Sequence, residues 1–334
     1  MAKDTDFLYV SARIKFLETK LLGKSAIDRL LDAPGIDDAL KALSDTEYGS
    51  DIAEMENIYD FEKVLEHSML RTIDTLKESF KNHELIRFFN LKNDYHNLKV
   101  ILKGNILGTE VKEYFSHLGE VSPEEMQKYA QGENSAAVPD NFKEAYDKAL
   151  EIYDATKDPQ KIDLFLDQAL FKEMEKITEQ SKIPFLKVYL AALSDITNIK
   201  TMLRLKKADS DIRTLESALV VGGSLKSDFF KEIFTGSTQS IIEAFSSTPY
   251  YEIVEEGLTA WESTGSPLVL EKMADNYLMA LARKGLYTPF GPETVVGYMA
   301  ARDNELKLLR IILVGKINGI SSDMIRERLR DVYI

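Results

Sequence analysis

The chain has 334 residues, 44% of them hydrophobic and 29% charged, the composition of an ordinary globular protein large enough for two or three domains. A net charge of −13 argues against broad binding to nucleic acid or to an anionic membrane surface, because both need a dominant positive field. With no cysteine, disulfide frameworks and thiol-based metal or redox chemistry are excluded, and a reducing compartment is the natural fit.

The opening Met1-Ala2-Lys3-Asp4-Thr5-Asp6 is charged and does not read as a signal peptide. Val10, Ile14, Leu17 and Leu21 then fall at helical spacing and predict a first helix over about residues 6–22. Ser25 with Asp28 resembles a capping box opening a short helix that Pro34-Gly35 ends. A second short helix over about 36–43 leads into a Thr46–Ser50 turn. Phe61, Val64, Leu65, Met69, Ile73, Leu76 and Phe80 predict a long helix over about 60–80. The next, over about 84–103, has Gly104 and Gly108 as stop signals. Ser122-Pro123-Glu124-Glu125 is a helix start, and residues 131–140 read as a linker. Asp158-Pro159 and Pro184 each open a further helix. Gly222-Gly223-Ser224, Gly265-Ser266-Pro267 and Pro289-Phe290-Gly291-Pro292 punctuate the last third, and Ser322 is expected to cap a final helix after Gly319. No series of alternating strands is visible, so the fold class is all-α.

Three of these segments carry nearly the same text: Asp94-Tyr95-His96-Asn97-Leu98-Lys99, Asp195-Ile196-Thr197-Asn198-Ile199-Lys200 and Glu305-Leu306-Lys307-Leu308-Leu309-Arg310. Each reads acid, two variable residues, a polar or core position, an aliphatic, a base, and then aliphatics. Their starts lie roughly 101 and 110 residues apart, too far for a short solenoid repeat, which predicts three copies of a domain-sized helical unit. A second match joins Ser44-Asp45-Thr46-Glu47-Tyr48 to Ser246-Ser247-Thr248-Pro249-Tyr250, each after a short amphipathic helix. The expected units are residues 1–108 with 317–334, closed by both ends of the chain, then 109–207 and 208–316. The order of elements suggests that the terminal segments pack in one unit and close a ring.

On a helix, positions i and i+3 share a face and i+5 lies about 140° away. Asp94 and Asn97 therefore point one way and Lys99 another, and likewise Asp195, Asn198 and Lys200. The favoured role for the acid and Asn is to bind backbone or a neighbouring helix where units meet; the alternative is that they line a shared inner surface. Lys99, Lys200 and Arg310 are expected to be solvated or ion-paired rather than ligand-binding.

Catalytic patterns fail. Gly23-Lys24-Ser25 echoes the end of a P-loop, but Glu18 stands where that motif needs glycine and no strand precedes it. None of the four histidines has a Glu three residues before it, so the Glu-x-x-His pairs of helical di-metal enzymes are missing. Glu113 and His117, one turn apart, are more simply a solvated face than metal ligands. Trp261 and the tyrosines read as core or interface residues rather than a cofactor box. No catalytic, cofactor-binding or metal-binding residue is assigned. The richest apolar run, Leu308–Gly315, includes Arg310 and is far shorter than the roughly 18–20 apolar residues of a membrane span. Any membrane role must go through a partner.

An ordered set of landmarks then resembles one family: Phe7-Leu8-Tyr9-x-x-Ala12-Arg13-Ile14 with Glu18 and Leu21-Leu22; the Leu43-Ser44-x-Thr46-x-Tyr48 turn; Asn93-Asp94-x-x-Asn97-Leu98-Lys99; and Arg310–Lys316 with Ile325-Arg326-Glu327-Arg328-Leu329. Together they resemble the C subunit of prokaryotic V-type (A/V-type) rotary ATPases, the counterpart of the d subunit of eukaryotic V-ATPases. The likeness spans essentially the whole chain. Leu308 departs from it, where Asn97 and Asn198 lead one to expect Asn, which puts a polar contact of the third unit in doubt. The resemblance implies a funnel of three similar helical domains about a pseudo-threefold axis. It implies a non-catalytic place in the central stalk, on the cytoplasmic face of the membrane, between the rotor shaft (D- and F-type subunits) and the membrane rotor ring of proteolipid subunits, in a machine that moves Na⁺ or H⁺. No cofactor and no nucleic acid is implied. The locally basic tail, Arg326, Arg328 and Arg330, is a candidate contact with a partner, against the simpler reading of a solvated helix. The competing classes are a generic helical-repeat scaffold or adaptor and, less well supported, a helical metalloenzyme or hydrolase.

Overall fold

The computed structural model describes residues 7–133 and 135–334, which are 75% helical with no strand. Helix α1 (Leu8–Glu18) is followed by α2 (Lys24–Asp32), α3 (Ile36–Ser44), a short α4 (Gly49–Ala53) and the long α5 (Phe61–Ser79). Gly23, not Ser25, is the N-cap of α2, so the Ser25–Asp28 capping box does not form. The chain is instead fixed just before the helix, where the N–H of Leu22 is bound by a distant carboxylate. In the turn between α3 and α4 the Thr46 hydroxyl donates to Leu43 O (2.6 Å) and accepts from the N–H of Tyr48 (3.4 Å), and Tyr48 is driven into the core.

The first motif lies on α6 (His83–Leu107), which continues through Gly104 and stops at Gly108, where φ is +66°. Gly104 is a contact point rather than a stop: a Cβ there would meet Val111 at 2.5 Å. Next come α7 (Pro123–Ala130), capped by Ser122, then α8 (Asp140–Thr156), α9 (Pro159–Ser181), capped by Asp158, and α10 (Pro184–Lys207), which bears the second motif. Four shorter elements follow: α11 (Ile212–Ala218), α12 (Ser227–Phe234), α13 (Thr238–Ala244) and α14 (Tyr251–Thr264). Before α14 the Tyr250 N–H donates to the Thr248 hydroxyl at 3.3 Å, repeating the Thr46–Tyr48 turn. The chain ends with α15 (Leu268–Ala282), α16 (Lys284–Tyr287), α17 (Pro292–Ile317), which holds the third motif, and α18 (Ser322–Arg328). Ser321 rather than Ser322 caps α18, because the Ser322 hydroxyl is committed to Leu31 O at 2.6 Å.

The chain divides into two compact units. Among the described residues, one contains 7–86, Ile183–Tyr189 and Ser247–Ile334, and so brings the first and last helices into one unit. Its centre is α17, on which α1, α3, α5, α15, α16 and α18 pack. Val295, Val296, Met299, Leu309, Ile312 and Leu313 are buried where that helix meets its neighbours, while Lys307, Arg310 and Val314 keep one side of it exposed. The other unit, Arg87–Lys182 with Leu190–Ser246, packs α8 on α9, α11 against α9 and α12, and α12 on α13.

Candidate functional site

Asp94 and Asn97 share a face of α6 and are fully buried. Asp94 accepts the backbone N–H groups of Glu120 (3.2 Å) and Val121 (3.0 Å). Asn97 clamps the backbone of one residue, accepting from Ser116 N–H (2.9 Å) and donating to Ser116 O (2.8 Å). On α10 the same device recurs. Asp195 accepts from the N–H groups of Ser224 (3.1 Å) and Leu225 (3.0 Å), and from the Ser224 hydroxyl. Asn198 accepts from Val220 N–H (2.8 Å) and donates to Val220 O (2.9 Å). In each case a glycine faces the acid, and a Cβ on Gly119 or Gly223 would overlap the carboxylate oxygen of Asp94 or Asp195. A motif acid thus holds the backbone two residues before a short helix: Val121 before α7 and Leu225 before α12.

The third copy keeps that register with a different segment of chain. Glu305 on α17 accepts the N–H of Leu22 at 2.5 Å, two residues before α2. Its other oxygen accepts from the Tyr48 hydroxyl (2.7 Å) and from Arg302 (2.5 Å). Arg302 is 1% exposed and also bonds Ser68 Oγ (2.7 Å), Tyr48 Oη (3.3 Å) and the Glu47 carboxylate. The result is a buried charged knot on the third motif. Leu308, at the Asn position, is packed in the core, and Asn304 instead donates to Asp331 O at 2.9 Å.

Burial governs the electrostatics here. It pushes the Asp94 carboxyl up to about 6, against the opposing pull of the Val121 and Glu120 N–H groups. Burial raises Glu305 as well, opposed by the Arg302 charge, and raises Tyr48, so the phenol stays a donor.

The base positions turn away from these clamps. Lys99 pairs with Asp167 on α9 at 2.6 Å, and Arg310 makes a two-pronged bond to Glu62 on α5 at 2.7 Å. Lys200 lies half-buried on α10. In the tail, Arg326 pairs with Asp28 (2.6 Å) and Asp32 (3.1 Å) on α2, Arg330 bonds Asp275 (3.0 Å), and Arg328 is exposed. Arg310, Arg328 and Arg330 line one groove, from which Arg326 is absent. The sequence reading missed Arg302, Tyr48, Glu47 and Ser68 as a cluster. The available signal was a base three residues before Glu305, in a helix otherwise closing on aliphatics.

Among the described residues no group of three or more His, Asp or Glu side chains is placed to hold a metal, and His117 lies 3.3 Å from Glu124. No helix among them is long and apolar enough to cross a membrane. What the motifs do is hold backbone: carboxylate and amide groups saturate N–H and C=O groups of loops that would otherwise be buried unpaired.

The described chain is all-α, and its acid–Asn clamp occurs on α6 and on α10, with Glu305 taking the acid's part on α17. The family model for the ATP synthase (C/AC39) subunit matches residues 10–328, and the chain belongs to that family. It is 26% identical to the C subunit of the V-type sodium ATPase of Enterococcus hirae, an alignment covering 96% of this chain and 97% of that protein. It is 24% identical to the C subunit of the V-type ATP synthase of Thermus thermophilus (97% and 98% covered) and 23% identical to the C subunit of the A-type ATP synthase of Methanocaldococcus jannaschii (97% and 86% covered).

Proposed function

We propose that this protein is a non-catalytic central-stalk component of a V/A-type rotary ATPase. In this reading it is a socket that receives the D- and F-type shaft subunits and rests on the proteolipid rotor ring at the cytoplasmic face of the membrane, passing torque between them. The observation that carries the reading is the family match over nearly the whole chain, with relatives named as C subunits of V-type ATPases and ATP synthases matched end to end. Torque transfer needs stiff elements, and long helices with close-packed interiors supply them.

Within this reading the chain forms three helical units, 1–108 with 317–334, 109–207 and 208–316, in a funnel about a pseudo-threefold axis. The recurrence of the acid clamp at Asp94, Asp195 and Glu305, in one register before a short helix, supports that division. Burial of these acids and of Asn97 and Asn198 favours a role in holding loops over one in lining an open inner surface. The tail arginines Arg326, Arg328 and Arg330 are the proposed contact with the ring, and exposed Arg328 is the best placed of them.

The test is co-expression with the D- and F-type shaft subunits and, separately, mixing with detergent-solubilised rotor ring. Stoichiometry is read by size-exclusion chromatography with light scattering. A one-to-one shaft complex that also docks on the ring supports the reading. A well-folded monomer that associates with neither defeats it and favours the generic helical scaffold.

A further inference from the structure

The outer face of α17 and the segment from α18 to Arg330 enclose a groove of about 520 Å³. Lys307, Ile311 and Val314 are spaced i, i+4, i+7, so they form one stripe on α17, the side of that helix its core contacts leave open. Ile320 continues the aliphatic floor, and Val314 is 40% exposed. The wall is fixed: a Cβ on Gly315 would meet Ile325 at 2.6 Å, so α18 lies directly on α17.

The groove is graded along its length. The chain returns from Ile325, against Gly315, to Asp331, whose carbonyl is bound by Asn304. That return path places Arg328 and Arg330 on the side of Lys307 and Arg310, away from Val314 and Ile320. Arg310 is committed to Glu62, and Arg330 to Asp275 and Glu271. Lys307 and Arg328 are exposed, and among the described residues neither has an ion-pair partner. Asp275, the one acid among the described residues lining the groove, is taken by Arg330. Two uncommitted cations beside an aliphatic floor are conspicuous in a chain of net charge −13.

We propose that this groove docks an acidic amphipathic segment of a partner protein, with aliphatic side chains on Ile311, Val314 and Ile320 and carboxylates opposite Lys307 and Arg328. The stripe from Lys307 to Val314 is about 10 Å long, two helical turns, the span over which a docked helix presents its own i, i+3/i+4, i+7 set. A lipid acyl chain laid in an open trough of that length keeps much of its surface in water, which argues for polypeptide. Arg328 is shared with the proposed ring contact, but the test uses this chain and a peptide alone, so the groove reading can fail while the stalk reading stands.

The probe is a fluorescein-labelled, 14-residue helical peptide of Glu and Leu with Leu at i, i+3, i+4 and i+7, titrated with the full chain and read by polarisation. A matched peptide with Lys for Glu and vesicles containing phosphatidylglycerol are run beside it. The expected result is saturable binding of the acidic peptide, weakened at least tenfold by Lys307→Glu/Arg328→Glu and weakened by salt, with no binding of the basic peptide. Both substituted residues are exposed, and an unchanged thermal melt confirms that the variant is folded. Absence of acidic-peptide binding, equal binding to the double variant, or binding of the vesicles alone overturns the proposal. Self-association of the chain that Lys307→Glu/Arg328→Glu abolishes overturns it in favour of a second copy as occupant.

Discussion

Glu305 accepts the backbone N–H of Leu22 at 2.5 Å across 283 residues of sequence. Its counterparts Asp94 and Asp195 reach only to Val121 and Leu225, 27 and 30 residues downstream. The geometry is shared but the connectivity is not. In the first two copies the clamped loop follows the motif helix, whereas in the third it comes from the other end of the chain. This contact, with Arg326 on Asp28 and Lys316 on Leu31 O, ties the α1–α2 segment and the last two helices into one packed unit.

The Arg302 knot is expected to be the most sensitive polar site in that unit. Removing one partner from a buried, hydrogen-bonded charge cluster typically costs about 3–5 kcal/mol, because the remaining charge stays buried without compensation. Arg302→Met should therefore lower the urea midpoint sharply. Adding Glu305→Gln, which neutralises the stranded carboxylate but keeps an acceptor for the Leu22 N–H, should restore part of the loss. Strict additivity of the two changes in a double-mutant cycle would show that the residues do not act as a unit.

The exposed pair gives the contrast. Arg310 and Glu62 are 49% and 47% exposed, so their two-pronged bond is screened by water and salt. Arg310→Ala should change stability by no more than about 1 kcal/mol, and that small effect should shrink further in 1 M salt. A loss comparable to that of Arg302→Met would mean that the pair is buried in solution.

Gly119 and Gly223 test the clamps directly. A Cβ at either position overlaps the carboxylate oxygen that holds the loop, and neither acid can withdraw without leaving backbone N–H groups unpaired. Gly119→Ala and Gly223→Ala are each expected to destabilise the protein by about 1–3 kcal/mol, the usual range for overpacking. Differential scanning calorimetry should show a lower Tm for both, and an unchanged Tm for either would mean that its loop admits a methyl group without loosening the clamp.

How much of this was legible in the sequence differs from feature to feature. The long helices were, because Phe61 to Leu76 and their like keep a strict helical period and because Asp158-Pro159 and Ser122-Pro123 are start signals the fold uses. The common face of Asp94 and Asn97 was also legible, since i and i+3 fix it. Their partners were not: Ser116–Val121 and Val220–Leu225 have almost no residues in common, and a clamp that binds backbone places little demand on side chains. Only the glycine opposite each acid is retained. Ser25 and Ser322 misled for a related reason. Each is a good local cap, but tertiary bonds at Leu22 and Leu31 shift the helix start away from the residue that local chemistry favours.

The Asp94 clamp should also be visible as a pH dependence. Its carboxyl is raised from 3.8 to about 6 by burial, so between those values the folded state holds a proton that the unfolded chain has released. The stability this group contributes is fully present below about pH 4 and is lost as pH rises through 6, because ionised Asp94 must then sit in the core. A shift of this size corresponds to about 3 kcal/mol across the window. Glu18 and Glu305, also raised by burial, add to the trend in the same direction, so the wild-type curve alone cannot assign it. The assignment comes from the difference between wild type and Asp94→Asn, measured by urea unfolding from pH 4 to 7.5. That difference should move against the wild type as pH rises to about 6 and stay flat above it. A difference constant with pH would mean that Asp94 is ionised throughout, held by the Glu120 and Val121 N–H groups more strongly than burial opposes it.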